Sequence, residues 1–90
     1  MGASTTERFY LTAQEAFRVW CRGNGVRFPA SHEDVAAYLR HAAKVRGPTV
    51  VPVHLSAIAR LYRAAGRPLD TKAPVIQRVV KPARDRIRAP

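Results

Sequence analysis

Residues 17–39, FRVWCRGNGVRFPASHEDVAAYL, decide how this chain folds. Phe17, Trp20 and Cys21 close an aromatic helix, Gly23 and Gly25 break it, and Phe28-Pro29-Ala30 leads the chain to Ser31. Ser31 followed by Asp34 is a capping-box variant, and Glu33 adds a second anion near the positive end of the helix that follows. Val35, Tyr38, Leu39, Ala42 and Ala43 recur at helical spacing as the buried stripe of that helix, which Gly47-Pro48 stops. Two amphipathic helices around a Gly- and Pro-broken loop, with no alternating strand pattern, make the chain all-α.

Upstream of this stretch, Thr5 or Thr6 is placed to cap the first helix, with Glu7 in its first turn. Tyr10, Ala13, Phe17 and Trp20 fall on one face of it. Downstream, the short Gly47-Pro48 connection forces a third helix to pack back on the second. The pattern predicts this helix over Thr49–Ala65, with Pro52 tolerated in the first turn and Gly66 as the C-terminal stop. Val51, Leu55, Ile58, Tyr62 and Ala65 form its buried face. A fourth helix is predicted to begin near Thr71 and to include Val75 and Val79. Pro82 ends or kinks it, leaving Ala83 to Arg88 as a separate basic turn. The expected architecture is a compact four-helix bundle over residues 5–81. Residues 1–4 precede it as an extension, and residues 82–90 follow as a basic tail or the start of an interdomain linker. Phe17, Trp20, Tyr38, Leu39, Leu55, Ile58 and Tyr62 are expected to be mutually buried.

Ninety residues are enough for one small domain. Sixteen Lys and Arg against six Asp and Glu give a net charge of +10. The excess is uneven. Residues 1–45 carry six basic and four acidic side chains, a net of +2; residues 46–90 carry ten and two, a net of +8. Such a balance favours a polyanionic partner, because each phosphate neutralised releases a condensed counterion. A basic membrane-surface helix is disfavoured, since no segment combines Lys-rich and bulky apolar faces. No apolar run is long enough for a signal peptide or a membrane span, which points to the cytoplasm.

The chemistry-bearing residues do not assemble into a catalytic or metal pattern. Cys21 is the only cysteine, so no internal disulfide or cysteine zinc site is possible. His32, His41 and His54 lack metal-ligand spacing, and neither a phosphate-binding Gly-rich loop nor a Ser/His/Asp set is present. Tyr10, Tyr38 and Tyr62 all lie on apolar stripes. No cofactor is expected, and the chain reads as a binding module, not an enzyme.

The Phe17–Leu39 order, continued by Leu55-Ser56-Ala57-Ile58 and Tyr62-Arg63-Ala64-Ala65-Gly66, resembles the core-binding domain of tyrosine recombinases and phage integrases. The resemblance covers about residues 5 to 84 and implies that domain's SAM-like helical fold. In the family, this domain and a catalytic domain close around duplex DNA as a C-shaped clamp. The catalytic Arg, Lys, His and Tyr lie in the other domain. The resemblance therefore implies a non-catalytic DNA-binding module, nucleoid-associated and of bacterial or phage origin. It would be either one domain of an integrase, working beside a catalytic domain or recombinase-like subunits, or a free-standing relative.

The family reads the major groove with the starts of its first and third helices. Carried onto this sequence, those regions are Thr5, Thr6, Arg8, Phe9 and Thr12, then Thr49, Val50, Val53 and His54. Many relatives carry Arg, Lys or Gln where this chain has Val50-Val51-Pro52-Val53-His54. Such apolar side chains touch a thymine methyl but cannot form bidentate bonds to guanine or adenine. Arg60, Arg63 and Arg67 along the third helix, and Arg78, Lys81, Arg84 and Arg88 after it, recur at single-face spacing and are the expected phosphate contacts. The competing expectation is a regulatory or dimerising protein-interaction module, in which Val50, Val51 and Val53 form an exposed apolar patch.

Overall fold

The computed structural model describes residues 5–88 and contains four α-helices: α1 (Thr5–Gly23), α2 (His32–Arg46), α3 (Val51–Ala64) and α4 (Pro74–Arg88). A 3₁₀ turn over Pro48–Val50 leads into α3. There is no strand among the described residues, and the proposed extension at residues 1–4 lies outside them.

Local chemistry explains the boundaries. Gly25, at φ +67°, turns the chain out of α1 while the Val26 N–H bonds back to the Cys21 carbonyl at 2.8 Å. Gly66, at φ +73°, does the same after α3, with Arg67 N–H on the Tyr62 carbonyl at 2.9 Å. Both are Schellman-type stops, which need a residue that tolerates the left-handed region. Ser31 caps α2: its Oγ accepts the Asp34 backbone N–H at 3.1 Å. The loop before it is tied down by an edge-on contact between Phe28 and Tyr62, with centroids 4.8 Å apart, and by the Tyr62 hydroxyl donating to the Ala30 carbonyl at 2.8 Å.

α1 lies chiefly against α3, and α2 chiefly against α4. Gln14 reinforces the first pair, its Nε2 donating to the Ala57 carbonyl at 2.9 Å. Phe17, Val35, Leu39, Val51, Ile58, Ile76 and Val80 are fully buried between the helices. Tyr38 joins α1 to α2: its ring meets Phe17 edge-on at 5.1 Å and Trp20 at 5.7 Å. Trp20 itself is half-buried, packing on the core from its margin.

Three expectations need correction. The third helix does not start as α-helix at Thr49, because Pro48 to Val50 close the tighter turn first. Ala65 is exposed, since the chain is already leaving α3 there. Pro82 neither ends nor separates the last helix: α4 runs unbroken to Arg88. Pro82 and Arg78 are both exposed, so the helical hydrogen bond that proline cannot donate is missing on the solvated side of α4. Meanwhile Ile76, Val80 and Ala83 form one buried stripe on both sides of it. Val75 and Val79 lie beside that stripe, half-buried. The segment from residue 82 to Arg88 is thus part of the bundle's last helix, not a tail.

Candidate nucleic-acid interface

The starts of α1 and α3, more than thirty residues apart in sequence, meet at one groove of about 390 Å³. Thr6, Phe9 and Thr12 line it from α1; Thr49, Val53 and His54 line it from the 3₁₀ turn and α3. With Val50 of the 3₁₀ turn, seven residues of the two expected base-reading regions therefore share one surface. Thr5 and Arg8 are exposed on the same helix start but do not line the groove. Phe9 is 62% exposed and Val53 41% exposed, so both present apolar surface to a ligand. Among the described residues no carboxylate and no side-chain amide lines this groove.

His54 is not a free reader. It is only 6% exposed, and its Nδ1 lies 2.7 Å from the Tyr38 hydroxyl, with the two rings stacked at 5.8 Å. Its position three residues after Val51 and four before Ile58 puts it on the buried face of α3. Burial first, and then the Arg46 charge, lower its pKa below the ordinary histidine value. Burial likewise pushes the Tyr38 hydroxyl up to about 12. His54 is the neutral floor of the groove, and the Tyr38 hydroxyl holds it from the core behind. Among the described residues no buried polar side-chain atom lacks a partner.

Arg46 also lines the groove, and sequence reasoning missed it. It is the last residue of α2, and the Gly47-Pro48 connection holds it next to the start of α3. The shortness of that connection was the available signal.

The remaining expected contacts lie elsewhere. Arg60 is exposed, and its guanidinium carbon sits 4.8 Å over the Tyr10 ring, a cation–π contact that fixes its direction between α3 and α1. Arg63 and Arg67 are exposed at and just beyond the end of α3. Arg78, Lys81, Arg84 and Arg88 are exposed on α4, away from its buried Ile76–Val80–Ala83 stripe, with Asp85 among them. Among the described residues none of these cations is paired with a carboxylate; the ion pair present, Arg22–Glu15 at 3.6 Å, is on α1.

No family model matches this chain, and no curated protein matches it in sequence.

The valine patch of the competing expectation does not form, because Val51 is fully buried and Val50 partly so. A different apolar surface exists: exposed Leu11, Val19 and Val45 flank a second groove between α1 and α2, with Trp20 in its wall. Cys21, a lone thiol, is buried, and burial followed by the Asp34 carboxylate raises its pKa, as suits a packing residue and not a nucleophile. No cluster of His, Cys, Asp and Glu able to hold a metal occurs among the described residues, and no helix is long and apolar enough to cross a membrane.

Proposed function

We propose that this chain is a non-catalytic DNA-binding domain, similar in role to the core-binding half of a tyrosine recombinase. One observation carries the reading: the two helix starts expected to face DNA converge on one open groove, on a domain with a net charge of +10. The groove faces bases, while Arg63, Arg67, Arg78, Lys81 and Arg84 contact phosphates and hold the duplex. The +8 carried by residues 46–90 supports that division. The reading associates the chain with a bacterial nucleoid or phage DNA, alongside a catalytic domain or recombinase-like subunits.

The test is a fluorescence-anisotropy titration of labelled duplex at several salt concentrations. Non-specific binding with Kd of roughly 10⁻⁴–10⁻⁶ M at physiological salt, weakening steeply as salt rises, is the expected result. Supercoiled plasmid should stay supercoiled; relaxation would refute the non-catalytic part of the reading.

The exposed Leu11, Val19 and Val45 favour a second reading, a protein-interaction module. Light scattering on the same sample separates the two. A monomer with salt-sensitive DNA binding supports the first, and a dimer indifferent to DNA supports the second.

A further inference from the structure

We infer that the groove between the starts of α1 and α3 recognises thymine methyl groups in the major groove of duplex DNA. The inference rests on the DNA-binding reading and names the chemistry that reading would recognise. Three features of the groove carry it.

The first is what its surface offers. Phe9 and Val53 expose apolar side chains on opposite helices, 62% and 41% accessible. Each base pair shows a distinct edge in the major groove, and only thymine adds an apolar group there, its C5 methyl. The second is what the groove lacks. Adenine is read by Asn or Gln and cytosine by Asp or Glu, and none of these side chains lines the groove among the described residues. The hydroxyls of Thr6, Thr12 and Thr49 donate or accept to either base type and confer little choice. The third is the placement of charge. The groove's cation, Arg46, is the last residue of α2 and lines the groove; its guanidinium is assigned to the phosphate backbone flanking the bases and not to guanine. The neutral His54 floor, bonded to Tyr38 behind it, adds no competing charge beneath them.

The experiment compares an alternating A·T duplex with the same duplex carrying deoxyuridine for thymidine, which deletes only the C5 methyls. A second pair compares an alternating G·C duplex with its 5-methylcytosine form, which adds a methyl at the equivalent major-groove position. Loss of one buried methyl-sized group should weaken binding about fourfold per contacted thymine. The expected result is weaker binding to the deoxyuridine duplex and stronger binding to the methylcytosine duplex. Phe9→Ala/Val53→Ala should bring both ratios to one. Both positions are exposed, so the variant should keep the wild-type melting temperature and helical signal. Arg46→Ala should weaken all four duplexes alike.

Equal binding within each pair by the wild-type chain overturns the inference and leaves the DNA-binding reading standing. Ratios that persist in Phe9→Ala/Val53→Ala also overturn it, because shape or hydration would then account for them. Failure to bind any duplex overturns the DNA-binding reading, and this inference with it.

Discussion

The groove at the starts of α1 and α3 rests directly on the core, whereas the basic residues of α4 stand on the outer side of a helix whose other side is buried. His54 belongs to both the groove and the buried interior, where Tyr38 holds its ring from behind. Arg78, Lys81 and Arg84 belong to neither; they are attached to the bundle only through the helix that carries Ile76, Val80 and Ala83. The groove is thus continuous with the core, and the α4 cations are not. On the proposed reading, altering the groove's floor should disturb fold and binding together, while altering the basic stripe of Arg78, Lys81 and Arg84 should disturb binding alone.

The largest effect expected from that contrast is at Tyr38. Tyr38→Ala removes a buried ring that touches Phe17, Trp20 and His54, and should destabilise the domain by about 3–5 kcal/mol in urea unfolding. A loss under 1 kcal/mol would mean the floor is not part of the core. Tyr38→Phe is subtler. It keeps the ring but leaves His54 Nδ1 without its partner 2.7 Å away, and should cost about 1–3 kcal/mol.

A pH series sharpens the same contrast. The pKa of His54 is lowered from 6.5 in the fold, by burial and then by Arg46, so the unfolded chain binds this proton more readily. Its contribution to stability is complete above pH 6.5 and is lost as pH falls through the lower folded value. Unfolding measured between pH 7.5 and 5.5 should show wild-type stability declining toward acid. His54→Gln should decline less. Parallel curves would remove His54 from the floor as described.

The smallest stability effect is expected on the stripe. Arg78→Ala/Arg84→Ala should change unfolding free energy by no more than about 0.5 kcal/mol, because both side chains are exposed and unpaired. A larger loss would show that the stripe supports the fold.

Much of the scaffold was legible in the sequence because it rests on local chemistry. Ser31 with Asp34, and Gly25 and Gly66 after α1 and α3, each act within a few residues, and each acts where its spacing places it. Elsewhere tertiary packing chose between equal local readings. Val75 and Val79 lie in the fourth helix as expected, but Val75-Ile76 and Val79-Val80 offer two stripes of identical spacing; the fold buries Ile76 and Val80 with Ala83, and the helix continues past Pro82 where an end or kink was expected. His54 is a different lesson. Val51, His54, Leu55, Ile58 and Tyr62 share helical periodicity, so its burial was readable from the chain, and the family resemblance pointed the other way. Arg46 was hard to find because its role depends on a groove made by two other segments.

The division between a base-facing groove and a phosphate-facing stripe is tested most directly by the salt dependence of duplex binding in two variants. Each phosphate contact contributes about 0.9 to the slope of log affinity against log salt. Arg78→Ala/Arg84→Ala should therefore flatten the slope by about 2 relative to wild type, while Phe9→Ala/Val53→Ala leaves it unchanged. Equal slopes in all three proteins, or a flatter slope in the groove variant alone, would contradict the division.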